Sequence, residues 1–280
     1  MRKHTLIAAA LAALALASCK GEANMEQETS RAARERAAAA GMERLAKARV
    51  FFGHQSVGYN LLDGIAELAA ARGAEGPRIL EGRDPGAAAS PRLLHAAIGR
   101  NTEPLGKIGD FEGLVRGGIG DWAEVAFMKL CYVDVGRDTD VQALFAAYKE
   151  AMARLAKEYP RVAFMHLTLP LTSEEPSLKE RLKERLKALL GRSRPSDNLA
   201  RERYNRLLRA EYGPSGRLFD LALAEATAPG ASPAAHRSGG GLYYSLRPEY
   251  TTDGGHLNEL GRRRAAEELL AVIASLEAKP

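Results

Sequence analysis

With only two cysteines in 280 residues, at positions 19 and 131, the chain has no disulfide framework to staple it. Charge of one sign is also missing. The formal net charge is +5, and the basic residues are interleaved with acids, as in Lys179-Glu180-Arg181-Leu182-Lys183-Glu184-Arg185. That pattern is a solvated helix face and argues against nucleic acid as a partner. The six histidines are not paired at metal-ligand spacing and Cys131 stands alone in an apolar run, so no metal centre and no cofactor is implied. No internal repeat is visible. What is present is ordinary globular material: 46% of the residues are hydrophobic and 27% charged, enough for one large core and one principal domain.

The first residues stand outside that domain. Arg2 and Lys3 precede an apolar run from Leu6 to Ala17, too short to span a membrane comfortably, which ends in Leu16-Ala17-Ser18-Cys19. Small residues before a cysteine resemble the lipobox of bacterial lipoproteins. This implies a signal peptide over 1–18, lipidation at Cys19 and a cell-envelope protein anchored to a membrane, facing the periplasm or the outside. A plain signal peptide with a chance cysteine is the alternative. Residues 19–47 then read as a tether running into an alanine-rich, charged first helix, and residues 48–280 as the folded domain.

That domain opens on Ala48 to Phe52, an apolar, β-rich run, followed by a polar turn holding Ser56 and by Leu61, Leu62, Ile65 and Leu68 at helical spacing. A serine between a buried strand and a helix is either a helix cap or a nucleophile held at the carboxyl edge of a sheet, beside the amide-rich helix end. Further strands are expected at Pro77–Glu81, Ala123–Val135, Arg161–Pro170 and Arg217–Leu221. Helices are expected at Asp140–Tyr159, 174–190 and Asp197–Tyr212. Strands separated by helices require crossovers, hence a mostly parallel sheet with helices on both faces. Cys131 is expected to be buried in the central strand, His166 to be a hydrogen-bonded core residue, and Asp134 to mark the strand's exit. Gly82–Ser90 and Ala228–Thr252 read as irregular loops. In the segment His95–Asn101, Gly99 and Asn101 are either turn residues or donors to a site.

Near the C-terminus, Asp253 lies three residues before His256 in a glycine-containing turn that opens the last helix. The carboxylate can there orient one ring nitrogen while the other faces a separate group. A strand-turn-serine near the start of the domain, an apolar strand ending in aspartate midway, and Asp253-Gly254-Gly255-His256-Leu257-Asn258 through Gly261 together resemble the SGNH/GDSL hydrolases. Two motifs depart from that family. Its Gly-Asp-Ser is replaced by Gly53-His54-Gln55-Ser56, and its Gly-x-Asn-Asp aligns with Cys131-Tyr132-Val133-Asp134, without the asparagine.

The resemblance implies a flavodoxin-like three-layer α/β/α sandwich. It makes Ser56 the nucleophile, His256 the base and Asp253 its orienting partner. The oxyanion donors would be the Ser56 and Gly99 amides, with Asn101 nominated in place of the missing asparagine. The function so implied is a lipid-anchored esterase acting on an acylated or acetylated molecule such as a saccharide, with no cofactor. Acyl transfer to a carbohydrate hydroxyl by the same triad is a second reading, and a non-catalytic binding lipoprotein on the same fold a third.

Overall fold

The computed structural model describes residues 28–73, 76–86, 90, 92–174, 196–238 and 241–276. The leader, Cys19 and the helix expected over 174–190, apart from Glu174, lie outside the described residues. Helix α1 covers 28–47. It is followed by β1 (Arg49–His54), α2 (Val57–Ala71), β2 (Ile79–Glu81), β3 (Arg92–Ala97), α3 (Pro104–Leu114), β4 (Val125–Met128) and α4 (Val141–Glu158). The remainder is β5 (Ala163–Leu167), α5 (Asp197–Tyr212), β6 (Leu218–Phe219), α6 (Leu221–Ala226), a hairpin of β7 (Ala235–Ser238) and β8 (Gly241–Tyr244), and α7 (Glu259–Ser275).

The main sheet has six strands in the order β2-β3-β1-β4-β5-β6, and every pair is parallel. Alternation along β1 creates the layers. Val50 and Phe52 point to one face, where they join Leu45, Leu61, Ile65, Leu269 and Leu270 from α1, α2 and α7. Phe51 points to the other, among Ile108, Phe111, Leu144 and Leu155 from α3 and α4. Phe52 packs on Phe127 of the neighbouring strand with ring centroids 4.5 Å apart, and Phe51 lies 6.0 Å from Phe111. Each fully buried side chain of this size contributes about 1.5–3 kcal/mol. Helices cover both faces, so the fold is the three-layer α/β/α sandwich.

Three expectations are corrected. The long run Ala123–Val135 is a strand only over Val125–Met128. Its continuation carries Lys129 and then turns into a 3-10 helix at Tyr132–Asp134, so Cys131 is a buried free thiol beyond the strand's end and not within it. The segment containing His95 is β3, a central strand; its buried Arg92 and His95 had obscured an apolar stretch. The loop 228–252 carries the antiparallel hairpin.

Two buried histidines give the fold an acid-sensitive signature. Burial lowers the pKa of His54 to about 2 and of His166, which hydrogen-bonds the Tyr148 hydroxyl at 2.9 Å, to about 3. Each takes up a proton on unfolding as pH falls below 6.5, and buried Lys129, its pKa also lowered by desolvation, acts with the same sign. Glu225, pushed up to about 8 by burial, opposes one of them above its ordinary value of 4.5. Stability should therefore fall by about 1.4 kcal/mol per pH unit or more between pH 6.5 and 4.5. Urea midpoints at the two pH values check this, and an unchanged midpoint would contradict it.

Candidate active site

β1 ends at the sheet's carboxyl edge, and the chain must reverse into α2 within two residues. Ser56 absorbs the reversal with φ 53° and ψ −116°, a left-handed conformation that costs a non-glycine residue about 1–3 kcal/mol. The turn is closed by packing: a Cβ at Gly58 would lie 2.3 Å from Nδ1 of the buried His54, so only glycine fits there. Gln55 pins the turn sideways, its Nε2 donating to the carbonyls of Ile98 at 2.8 Å and Gly99 at 2.7 Å. The helix-cap alternative for Ser56 does not hold, since its side chain makes no capping hydrogen bond to α2. Its hydroxyl instead meets His256.

Ser56 Oγ lies 2.7 Å from His256 Nε2, and His256 Nδ1 lies 2.7 Å from Asp253 Oδ2. The second carboxylate oxygen, Oδ1, accepts from the amides of His256 at 2.8 Å and Gly255 at 2.9 Å and from the Thr251 hydroxyl at 3.2 Å. Desolvation opposes ionisation of this carboxyl, but the amides of His256 and Gly255 and the imidazole outweigh it and hold its pKa well below the usual carboxylate range. The carboxylate therefore fixes the proton on Nδ1 and leaves Nε2 as the acceptor facing Ser56.

Separate elements hold the two halves together. The Leu257 amide donates to Asn60 Oδ1 at 3.0 Å, tying the histidine turn to α2 four residues beyond the serine, and Arg262 of α7 pairs with Glu67 of α2. Asn258 caps α7 by accepting from the Gly261 amide at 3.0 Å. Asn60 was not singled out from sequence. Its one legible signal is that it stands a helical turn after Ser56 and so shares the serine's side of the helix.

Of the other expected donors, Gly99 is corrected. Its amide is taken by Asp110 Oδ2 at 2.8 Å and is not offered to a bound carbonyl. Asn101 is exposed, and its Oδ1 accepts from Lys107 Nζ at 2.8 Å. Beneath this loop Lys107 and Asp134 form a fully buried ion pair at 2.6 Å. Asp134 also accepts the amides of Thr102 at 2.8 Å and Cys131 at 2.6 Å, clamping the loop after β3 to the one after β4. Asp134, legible only as a strand exit, is thus the joint between the two loops flanking Ser56.

A groove of about 1180 Å³, lined by residues including Arg72, Tyr250 and Arg263, contains none of the three hydrogen-bonded residues. Among the described residues no group of three or more His, Cys, Asp or Glu could hold a metal ion, and no helix is long and apolar enough to cross a membrane.

No protein-family model and no curated protein matches the sequence. Among solved structures the chain is similar to the periplasmic domain of a lipopolysaccharide acetyltransferase from Salmonella ser. Paratyphi A, at 13% identity and TM-score 0.47 over 80% of this chain and 83% of that one. It is also similar to a protein from Desulfitobacterium hafniense DCB-2, described as a candidate lipolytic protein of the G-D-S-L family, at 8% identity and TM-score 0.45 over 81% and 99% of the two chains. A candidate SGNH hydrolase from Slackia heliotrinireducens matches at 14% identity and TM-score 0.41 over 80% and 97%. At such identities and TM-scores the reading of function rests on what Ser56, His256 and Asp253 do together.

Proposed function

We propose that the protein is a serine ester hydrolase of SGNH type. The observation that carries this reading is the unbroken line of contacts from Ser56 Oγ through His256 to Asp253, built on a serine in a strained backbone conformation. A binding protein gains nothing from holding a serine in that conformation against an oriented imidazole.

In the first step Ser56 Oγ attacks the ester carbonyl while its proton passes to His256 Nε2. The carbonyl π pair moves onto oxygen. Asp253 stabilises the imidazolium that forms, and collapse of the tetrahedral intermediate expels an alcohol that takes the proton back from Nε2. Water, deprotonated by the same nitrogen, then releases the acid and regenerates Ser56. Acyl transfer differs only in that a sugar hydroxyl replaces water in the second half. The three residues converge on an open sheet edge, with Asp253 and His256 side chains 53% and 45% exposed, which supports an ester of a bulky, polar alcohol such as a saccharide.

The test is hydrolysis of p-nitrophenyl acetate together with fluorophosphonate labelling and mapping of the modified peptide. Label on Ser56 and turnover are expected. Inertness towards a broad ester panel with no label at Ser56 would sink the assignment.

The enzyme is further proposed to be held at a membrane through lipid on Cys19. The wild type should then fractionate with membranes and Cys19→Ala should appear in the soluble fraction. A Cys19→Ala protein that still sediments entirely with membranes would refute the anchor.

A further inference from the structure

Acylation of Ser56 places a negative charge on the former carbonyl oxygen, and that charge needs donors. The asparagine that would supply one is absent from Cys131-Tyr132-Val133-Asp134, and the Gly99 amide is spent on Asp110. The residue standing in the missing asparagine's neighbourhood is Tyr132. We propose that the Tyr132 hydroxyl is an oxyanion donor of this site, completing with the Ser56 amide the stabilisation that the lost asparagine would have given. This inference rests on the Ser56–His256–Asp253 reading.

Tyr132 is held against the base turn. Its ring meets the His256 ring edge-on, with centroids 5.9 Å apart and planes at 71°. Its hydroxyl lies directly over Gly255: a Cβ there would come within 2.8 Å of the hydroxyl oxygen and 2.9 Å of the ring carbon bearing it. The hydroxyl is thus packed against the base turn, beside the imidazole that meets Ser56 Oγ at 2.7 Å.

The backbone beneath is fixed. Arg201 Nε donates to the Tyr132 carbonyl at 2.9 Å and to that of Val135 at 3.2 Å, and its guanidinium sits 5.7 Å from the centre of the tyrosine ring. The buried Asp134 holds the Cys131 amide next in sequence. Burial, the Asp253 carboxylate and Cys131 push the phenol above the ordinary tyrosine range, so it remains protonated and able to donate at neutral pH. No proton needs to leave it: the phenol shares its hydrogen with the oxyanion as the Oγ–C bond forms, and releases that oxygen when the leaving alcohol departs.

The proposal is tested with purified Tyr132→Phe, Gly255→Ala and Asn101→Ala proteins, assayed on p-nitrophenyl acetate and titrated with a boronic acid that forms a tetrahedral anion on the serine. Tyr132→Phe removes one oxygen and should lower kcat by about 100-fold with KM within about twofold, and weaken the boronate by a similar factor. Gly255→Ala, which pushes the hydroxyl away while leaving it on the protein, should reproduce much of that loss. A Tyr132→Phe enzyme with wild-type kcat and boronate affinity overturns the proposal while leaving the esterase reading intact. So does one that loses only KM, or one whose loss is matched by Asn101→Ala alone. A wild type that is inert and binds no boronate overturns both.

Discussion

Ser56→Ala is expected to remove about a hundred-thousand-fold or more of kcat on small esters, with little change in the affinity for product. The size of the loss comes from the contacts on Ser56 Oγ. With the oxygen gone, His256 Nε2 has nothing to deprotonate, and what remains is positioning and the oxyanion donors. His256→Ala should cost about as much. Asp253→Asn should cost somewhat less, about ten-thousand-fold, because an amide in that place still holds the ring but no longer fixes the proton on Nδ1. Since the three groups act in one step, the Ser56→Ala/His256→Ala protein should be no slower than either single variant. Single-turnover and steady-state rates on p-nitrophenyl acetate decide this, and additive losses in the double variant would contradict the unit. Asp253 stays ionised through the acidic range, so loss of rate on acidification is not expected to arise from its protonation.

The second large effect concerns stability. Asp134→Ala strands the Lys107 ammonium in a site with no exposed surface and leaves the Thr102 and Cys131 amides without their acceptor. Removing one partner of a buried pair costs about 3–5 kcal/mol, and the expected fall in melting temperature is on the order of 10 °C. Asp134→Asn, which keeps an acceptor oxygen, should recover part of it. Paired replacement, Lys107→Met with Asp134→Leu, should be far closer to wild type in stability than the single alanine variant. It should still lose activity, because the buried joint of Asp134 with the Thr102 and Cys131 amides between the loop after β3 and the turn after β4 is gone. Denaturant unfolding together with turnover separates the two effects. An Asp134→Ala protein of unchanged midpoint would show that the pair bears no such load.

Residues 48–68 and 251–261 could be read from sequence because each carries a local pattern: an apolar run, a polar turn and then helical spacing, or a carboxylate three residues from a histidine. Their meeting across the chain was inferable from the parallel topology alone. What escaped was non-local. β3 hides behind Arg92 and His95, whose burial depends on partners far away: the arginine lies over Trp122, 5.0 Å from the ring centre, and His95 Nδ1 lies 3.1 Å from His54 Nε2. The premature end of β4 is likewise invisible in an apolar string, because the Lys129 side chain is buried among groups supplied by its own turn, the Leu130 carbonyl and the Cys131 sulfur. Gly99 has the composition of a donor loop, and only Asp110, eleven residues on, reveals that its amide is already used. Tyr132 has no sequence signature as a site residue, since an aromatic after an apolar run reads as core.

The position of β1 in the sheet bears on how such an enzyme can diversify. β1 has β3 on one side and β4 on the other, so the serine stands where chain order reverses, and the loops beside it descend from opposite halves of the sheet. One wall, residues 98–103, can lengthen or change its chemistry without disturbing the strand pairing that carries the other, residues 129–135. Selection for a new alcohol and selection for a new acyl group can then proceed on separate stretches of gene. The residues that must stay answerable to both are the aspartate that ties them together and the lysine buried against it.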